Sequence, residues 1–177
     1  MTSRRVRPGP LLLDTGPLLT YLALRYADST KAPKAYTDIL FRDIRKHGER
    51  FSATAQEHFR KLIEMRHALT TPHVILEVTK LREHSELARA GGFREFSLAV
   101  LTGGAISEIW YSFEEIYRES EYMDLARRFG VADASLLFVS AREGCLLLTD
   151  DKRLFDAYEA GSKFQMRLLD EYLEETD

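Results

Sequence analysis

Short apolar runs alternate with longer stretches of helical periodicity along this chain. The run Leu11-Leu12-Leu13 suits a fully buried strand, and Pro17 lies where a helix would begin. We predict further strands near 69–72, 106–112, 145–149 and 164–169, and helices near 35–46, 55–67, 74–83, 85–101, 113–129, 134–143 and 152–159. Strands separated by helices predict an α/β fold, a single three-layer domain with a mainly parallel central sheet flanked by helices.

The domain is predicted to cover residues 11–177, preceded by a flexible arm over residues 1–10 that contains Pro8-Gly9-Pro10. A polar loop is expected over 27–34, and the helical stretch over 35–67 reads as an elaboration of the same domain. Within it, Thr54 and Glu57 have capping-box spacing for the helix over 55–67. The apolar face of that helix is predicted to comprise Phe59, Leu62, Ile63 and Met65.

Composition fits one globular domain. The chain has 177 residues, 45% of them hydrophobic, with a net charge of −3 and a pI near 6.0. These values argue against a strongly basic protein that coats DNA, and they leave RNA open. The sole cysteine, Cys145, lies in an apolar run and is expected to be a buried thiol. No segment resembles a membrane span or a signal peptide, so a cytoplasmic protein is expected.

Several carboxylates interrupt apolar segments instead of lying on polar faces. Asp14 follows the first apolar run, Glu77 lies within Val74–Val78, and Asp133 precedes a long apolar stretch. Asp150 and Asp151 follow the strand predicted near 145–149. Carboxyl ends of parallel strands and the helix starts that follow them share one edge of the sheet, which is where such folds bind ligands. The sequence therefore predicts an acidic cluster at that edge.

Each acid also has a structural explanation. Asp14, Asp133 and either Asp150 or Asp151 could be helix N-caps, and Glu77 could lie in a first helical turn. Their shared location favours a common site instead. Converging carboxylates repel one another unless a cation is bound, and all-oxygen ligation favours Mg²⁺ or Mn²⁺ over zinc. One or two such ions would suit phosphodiester hydrolysis.

The acidic segments, in this order, resemble the four motifs of PIN domains. The four segments are Leu11–Leu19, Ile75–Val78, Phe129–Leu137 and Ala141–Asp151. The fourth motif of that family ends Thr-x-Asp, which selects Asp151 over Asp150, although Asp150 could substitute or assist. The resemblance implies a three-layer PIN-like fold and a metal-dependent endoribonuclease in which Asp14, Glu77, Asp133 and Asp151 hold the metal.

The family resemblance implies further roles and partners. Thr15 and Thr149 have hydroxyls suited to bonding a metal ligand, a water or a phosphate, although a threonine beside a turn can equally cap a helix. The candidates for RNA contact are Arg4, Arg5, Arg7, Arg25, Lys31 and Lys34. The family includes VapC-like toxins, which an antitoxin protein inhibits. An antitoxin partner and a homodimer are therefore expected from the resemblance.

Three other functions are compatible with parts of the sequence. The string Asp14-Thr15-Gly16 also matches the signature of aspartic proteases, which are all-β proteins with that aspartate in a loop. Acidic α/β phosphatases need a second Asp two positions after the first, where this chain has Gly16. A PIN-like module that binds RNA or protein without cutting is the main alternative, since activity depends on fine geometry.

Overall fold

A computed structural model describes residues 9–30, 52–84, 92–158 and 164–174. The strands in these ranges are β1 (Leu11–Leu13), β2 (Ala68–Thr70), β3 (Ser107–Glu108), β4 (Leu146–Thr149) and β5 (Gln165–Leu168). They form one sheet in the order β3-β2-β1-β4-β5, and every pair is parallel. The strand β1 is thus central, with β2 and β4 on either side.

Helices connect the strands and flank the sheet. Those in the described ranges are α1 (Thr15–Thr30), α2 (Ala53–Met65), α3 (Pro72–His84), α4 (Phe93–Thr102), α5 (Phe113–Tyr117), α6 (Ser120–Phe129), α7 (Val131–Glu143), α8 (Lys152–Tyr158) and α9 (Leu169–Glu174). Helix α1 packs against α3 and α4, and α7 packs against α6 and β4. The predicted α/β class is confirmed, and the architecture is consistent with a three-layer PIN-like domain.

The centre of the sheet is apolar. Leu11, Leu12 and Leu13 have no exposed surface, and they stand in register with Leu146, Leu147 and Leu148 of β4. Complete burial of a leucine side chain stabilises a fold by about 1.5–3 kcal/mol, so this short strand anchors the domain. Burial on both faces is the expected environment of a strand within a parallel sheet.

Several element boundaries differ from the sequence prediction. Helix α1 continues through residue 30, where a loop was predicted from residue 27, because Tyr26 packs its ring 5.3 Å from Phe93 and 5.5 Å from Phe96. The strand predicted over 106–112 is reduced to the two residues of β3, because its partner β2 has only three residues and pairs through two of them. The helix predicted over 113–129 is divided into α5 and α6.

The start of α2 also differs. Ser52 is the N-cap, since its Oγ accepts a hydrogen bond from the amide of Ala55 at 3.0 Å, so the predicted Thr54 capping box is wrong. Phe59, Leu62 and Ile63 are buried as predicted, whereas Met65 is 79% exposed. The helix predicted over 35–46 and residues 1–8 of the arm lie outside the described residues.

Candidate metal centre

The carboxyl ends of β1 and β4 meet at one level of the sheet. The backbone N–H of Asp14 donates to the carbonyl oxygen of Leu148 at 3.0 Å, so the residue after β1 lies beside the end of β4. Asp150 and Asp151 follow β4 directly. The register of the two strands thus places the residues that follow them side by side.

Asp14 is buried and held by hydrogen bonds on both carboxylate oxygens. Its Oδ1 accepts from the amide of Thr15 at 2.6 Å, and its Oδ2 accepts from Oγ1 of Thr149 at 2.5 Å. Burial raises the pKa of Asp14 to about 6, the two hydrogen bonds lower it, and the charges of Asp150 and Glu77 raise it. The backbone carbonyl of Asp14 also accepts the first bond of α1, so its position at the helix start is compatible with a site role.

The pKa of Asp133 is raised by the charges of all three of the other predicted ligands. This residue lies half-buried in the first turn of α7, whose N-cap is Gly130, so the alternative that Asp133 is the N-cap is wrong. Burial raises the pKa of Asp133 to about 7, and the charges of Asp14, Asp151 and Glu77 raise it further. The four predicted carboxyls are therefore close enough to influence one another.

Two threonine hydroxyls connect the carboxylates. The fully buried Thr149 donates from Oγ1 to Asp14 and accepts on the same atom from the amide of Asp151 at 3.0 Å. Thr15 donates from Oγ1 to Oε2 of Glu77 at 2.7 Å. Each hydroxyl thus contacts a predicted ligand, and Thr149 ties the ends of β1 and β4 together.

Glu77 and Asp151 are the more accessible acids. Glu77 is exposed in the second turn of α3, so the alternative that it lies in a first helical turn is wrong. Oδ1 of Asp151 accepts from the amide of Leu154 at 3.1 Å, which makes Asp151 the N-cap of α8, as the structural explanation anticipated. Its second carboxylate oxygen is not used by that cap.

Asp150 also lies close to the cluster. Its carboxylate packs against Gly16, where a Cβ atom would overlap it, so the glycine at this position provides the space for the acid. Asp150 raises the pKa of Asp14, whereas Asp151 raises that of Asp133. Both adjacent aspartates therefore act on the site electrostatically, from different sides.

The chemistry of this donor set suits a hard divalent cation. Carboxylates and hydroxyls supply only oxygen, and a cation would offset the mutual repulsion that raises the pKa values of Asp14 and Asp133. Within the described residues, no group of three His, Cys, Asp or Glu side chains is arranged so that it could hold a metal ion. Of the four acids, Glu77 is exposed, Asp133 and Asp151 are half-buried, and Asp14 is buried.

Arg25, one of the predicted RNA-contact residues, lies away from the acids, and its role in RNA contact stays a prediction. It is ten residues along α1 from Thr15, which corresponds to about 15 Å of helix. Its guanidinium donates to the hydroxyl of Tyr21 at 3.0 Å and to Glu64 at 3.3 Å, and it lines a cavity of about 480 Å³ beside Ala68, at the opposite end of the sheet. The remaining candidates for RNA contact lie outside the described residues, namely Arg4, Arg5, Arg7, Lys31 and Lys34.

Arg153, which the sequence analysis did not select, lies near the acids instead, and Arg128 contacts the same aromatic ring as Arg153. Arg153 approaches Asp151, with Nη2 3.9 Å from Oδ2, and its charge lowers the pKa of Asp133. Arg128 shares with Arg153 a contact to the ring of Phe129. A sequence signal did exist, since Arg153 follows Asp151 by two positions and Arg128 precedes the third acidic motif by one.

The rival enzyme classes do not fit this geometry. Thr15 and Gly16 lie in the first turn of α1, whereas the protease signature requires a loop between strands of an all-β protein. Cys145 is a buried free thiol, as predicted, and burial raises its pKa to about 11, so it is no nucleophile.

Within the described ranges, no helix is long and apolar enough to cross a membrane.

Comparison with known proteins assigns no family. No protein-family model matches this chain, and no curated protein matches it either. Kinship with PIN domains therefore stays a proposal, based on the order of the four acidic motifs and on the parallel α/β fold.

Proposed function

We propose that this protein is a Mg²⁺- or Mn²⁺-dependent endoribonuclease of the PIN-domain kind, with Asp14, Glu77, Asp133 and Asp151 as its metal-holding acids. The observation that carries the proposal is the pair of threonine hydroxyls that connect the acids, with Thr149 joining Asp14 to Asp151 and Thr15 bonded to Glu77, while the charges of the other three acids raise the pKa of Asp133. Structural caps have no need of such convergence, whereas metal-assisted hydrolysis does.

The roles of the residues follow from their surroundings. Asp14 is rigid, since both oxygens accept hydrogen bonds, and it would define the position of the cation. Thr149 connects Asp14 to Asp151, and Glu77 accepts a hydrogen bond from Thr15. When bound, the cation would activate water and stabilise the leaving oxygen. Hydrolysis forms a bond between the water oxygen and phosphorus, breaks the bond to the leaving oxygen, and yields one phosphate end and one hydroxyl end.

A cleavage assay tests the proposal. Labelled RNA is incubated with Mg²⁺ or Mn²⁺, with and without chelator, using wild type, Asp14→Asn and a matched control, Asp156→Asn, whose acid is exposed on α8. We expect metal-dependent cleavage that Asp14→Asn lowers by roughly a hundredfold or more, a typical effect of losing one preorganised electrostatic group. The control should cleave normally. Equal activity of Asp14→Asn and wild type would refute the site.

The same assay addresses the main alternative. If wild type cleaves no RNA with either metal but binds RNA tightly, the protein is a PIN-like binding module. Binding of Mn²⁺ measured by calorimetry separates these cases further, because a metal site requires the four acids whereas a pure binding surface does not.

A toxin role, with an antitoxin partner and a homodimeric state, is a finer part of the proposal that rests on the family resemblance. A cytoplasmic location is proposed because the sole cysteine is a buried free thiol. Growth arrest on expression of wild type, absent with Asp14→Asn, would support the toxin role. Normal growth with an active nuclease would indicate a housekeeping enzyme.

A further inference from the structure

Two arginines lie over one aromatic ring at the side of the acidic site. Arg128, near the end of α6, has its guanidinium carbon 5.0 Å from the ring centroid of Phe129, and Arg153 of α8 has its own at 5.3 Å. The two guanidinium carbons are therefore within about 10 Å of each other. Cation–π contact holds both side chains in place although both are exposed.

One arginine of the pair, Arg153, borders the acids. Arg153 is 3.9 Å from Asp151, near the limit of an ion pair, and its charge acts on Asp133. Asp151 already accepts the cap bond of α8 on its other oxygen. The pair thus extends from the edge of the acidic cluster toward the end of α6.

One member of the arginine pair has no ion pair among the described residues. Arg128 forms none there, whereas its neighbour Arg127 pairs with Asp124 at 2.8 Å, and Arg153 has only the long contact of 3.9 Å to Asp151. The two positive charges lie within about 10 Å of each other, and an anion bound at this position would offset them. Phosphate is the anion whose geometry matches the planar guanidinium fork.

An acidic site that cuts RNA repels its own substrate. The backbone of the substrate is a polyanion, and the carboxylates beside the scissile bond repel it. A cationic pair on one side of the site would offset this repulsion and bind the strand on that side.

We propose that Arg128 and Arg153, held on Phe129, bind a backbone phosphate of the RNA next to the bond that is cut and so set the position of the strand. This inference rests on the proposed ribonuclease function. The two arginines are positioning residues, since they act on a phosphate beside the reacting one.

RNA binding without cleavage tests this inference. Fluorescence anisotropy with a 2′-O-methyl RNA, in chelator and over a series of salt concentrations, compares wild type with Arg128→Gln, Arg153→Gln and the matched control Arg127→Gln. Each test variant should bind roughly tenfold more weakly, as expected for a lost charge-assisted hydrogen bond, and its salt slope should fall by about 0.7. The control should equal wild type. Test variants that behave like Arg127→Gln would overturn the inference.

Metal binding distinguishes a phosphate contact from support of the acids. Removal of a nearby positive charge should leave Mn²⁺ affinity of Arg153→Gln unchanged or increased, as calorimetry without RNA would report. A weaker affinity for Mn²⁺ would show that Arg153 orders Asp151, and would overturn the phosphate assignment.

The outcome is separable from the nuclease proposal. Weaker RNA binding by both variants, in a protein that cleaves nothing, would keep the phosphate site and remove the nuclease. Cleavage by wild type, together with RNA binding that neither variant weakens, would keep the nuclease and remove the phosphate site.

Discussion

Replacement of Asp14 by Asn should stabilise the metal-free protein while it removes cleavage. Burial is the main reason that the pKa of Asp14 rises from its ordinary 3.8 to about 6, so the folded protein prefers the protonated form. Because the folded pKa exceeds the unfolded one, the free energy of unfolding falls as pH rises between these values. At 1.36 kcal/mol for each pKa unit, the penalty is about 3 kcal/mol at pH 8 and roughly half of that at pH 5.

Asparagine removes this penalty but also changes one hydrogen bond. Its amide oxygen can still accept from Thr15, and its amide nitrogen can donate to the hydroxyl of Thr149, whose own hydrogen then loses its acceptor. That loss offsets about 1 kcal/mol of the gain. Urea unfolding in chelator should therefore show Asp14→Asn to be more stable than wild type, with an advantage that grows from pH 5 to pH 8. Saturating Mn²⁺ should raise the stability of wild type alone. Lower stability of Asp14→Asn at pH 8, or an advantage independent of pH, would refute the reasoning, and Asp156→Asn serves as the exposed control.

Three further substitutions test other contacts. Thr149→Val leaves an oxygen of buried Asp14 without its donor, and should lower the free energy of unfolding at pH 8 by about 1–3 kcal/mol, measured by urea denaturation. Asp151→Asn should reduce RNA cleavage by about a hundredfold while Asp150→Asn stays within about tenfold, in the same assay; the opposite order would exchange their roles. Ser52→Ala removes the cap of α2 and should cost about 1 kcal/mol, seen as a lower Tm, with cleavage unchanged.

The fold class follows from local pattern. Leu11–Leu13 and the apolar part of β4 are too short and too apolar for amphipathic helices, and Gly130 ends α6 with φ at 114°. Alternation of such runs with helical periodicity leaves a parallel α/β layer fold as the consistent arrangement. Boundaries were less accurate, because Ser52 and Thr54 are both competent caps and only the path of the backbone selects between them.

Long-range packing decided the other differences. Helix α1 extends into a polar stretch because Tyr26 reaches the aromatic rings of α4, about seventy residues later in the chain. No periodicity in the sequence encodes such a contact. The position of Arg25 could not be predicted from the sequence for the same reason. Its basic character suggested RNA contact, whereas the direction of α1 places it at the opposite end of the sheet from the acids.

By itself, the sequence predicted which acids lie at one edge of the sheet. Strand ends and helix starts of a parallel sheet share that edge, and the element order is enough to place Asp14, Asp133 and Asp151 there, whereas Glu77 lies in the second turn of its helix. Only the tertiary structure decided that Asp14 is buried, that its partner Thr149 lies 135 positions away, and that Arg153 borders the acids. Burial and side-chain contacts depend on which distant segments pack side by side, and that information is absent from any local pattern of residues.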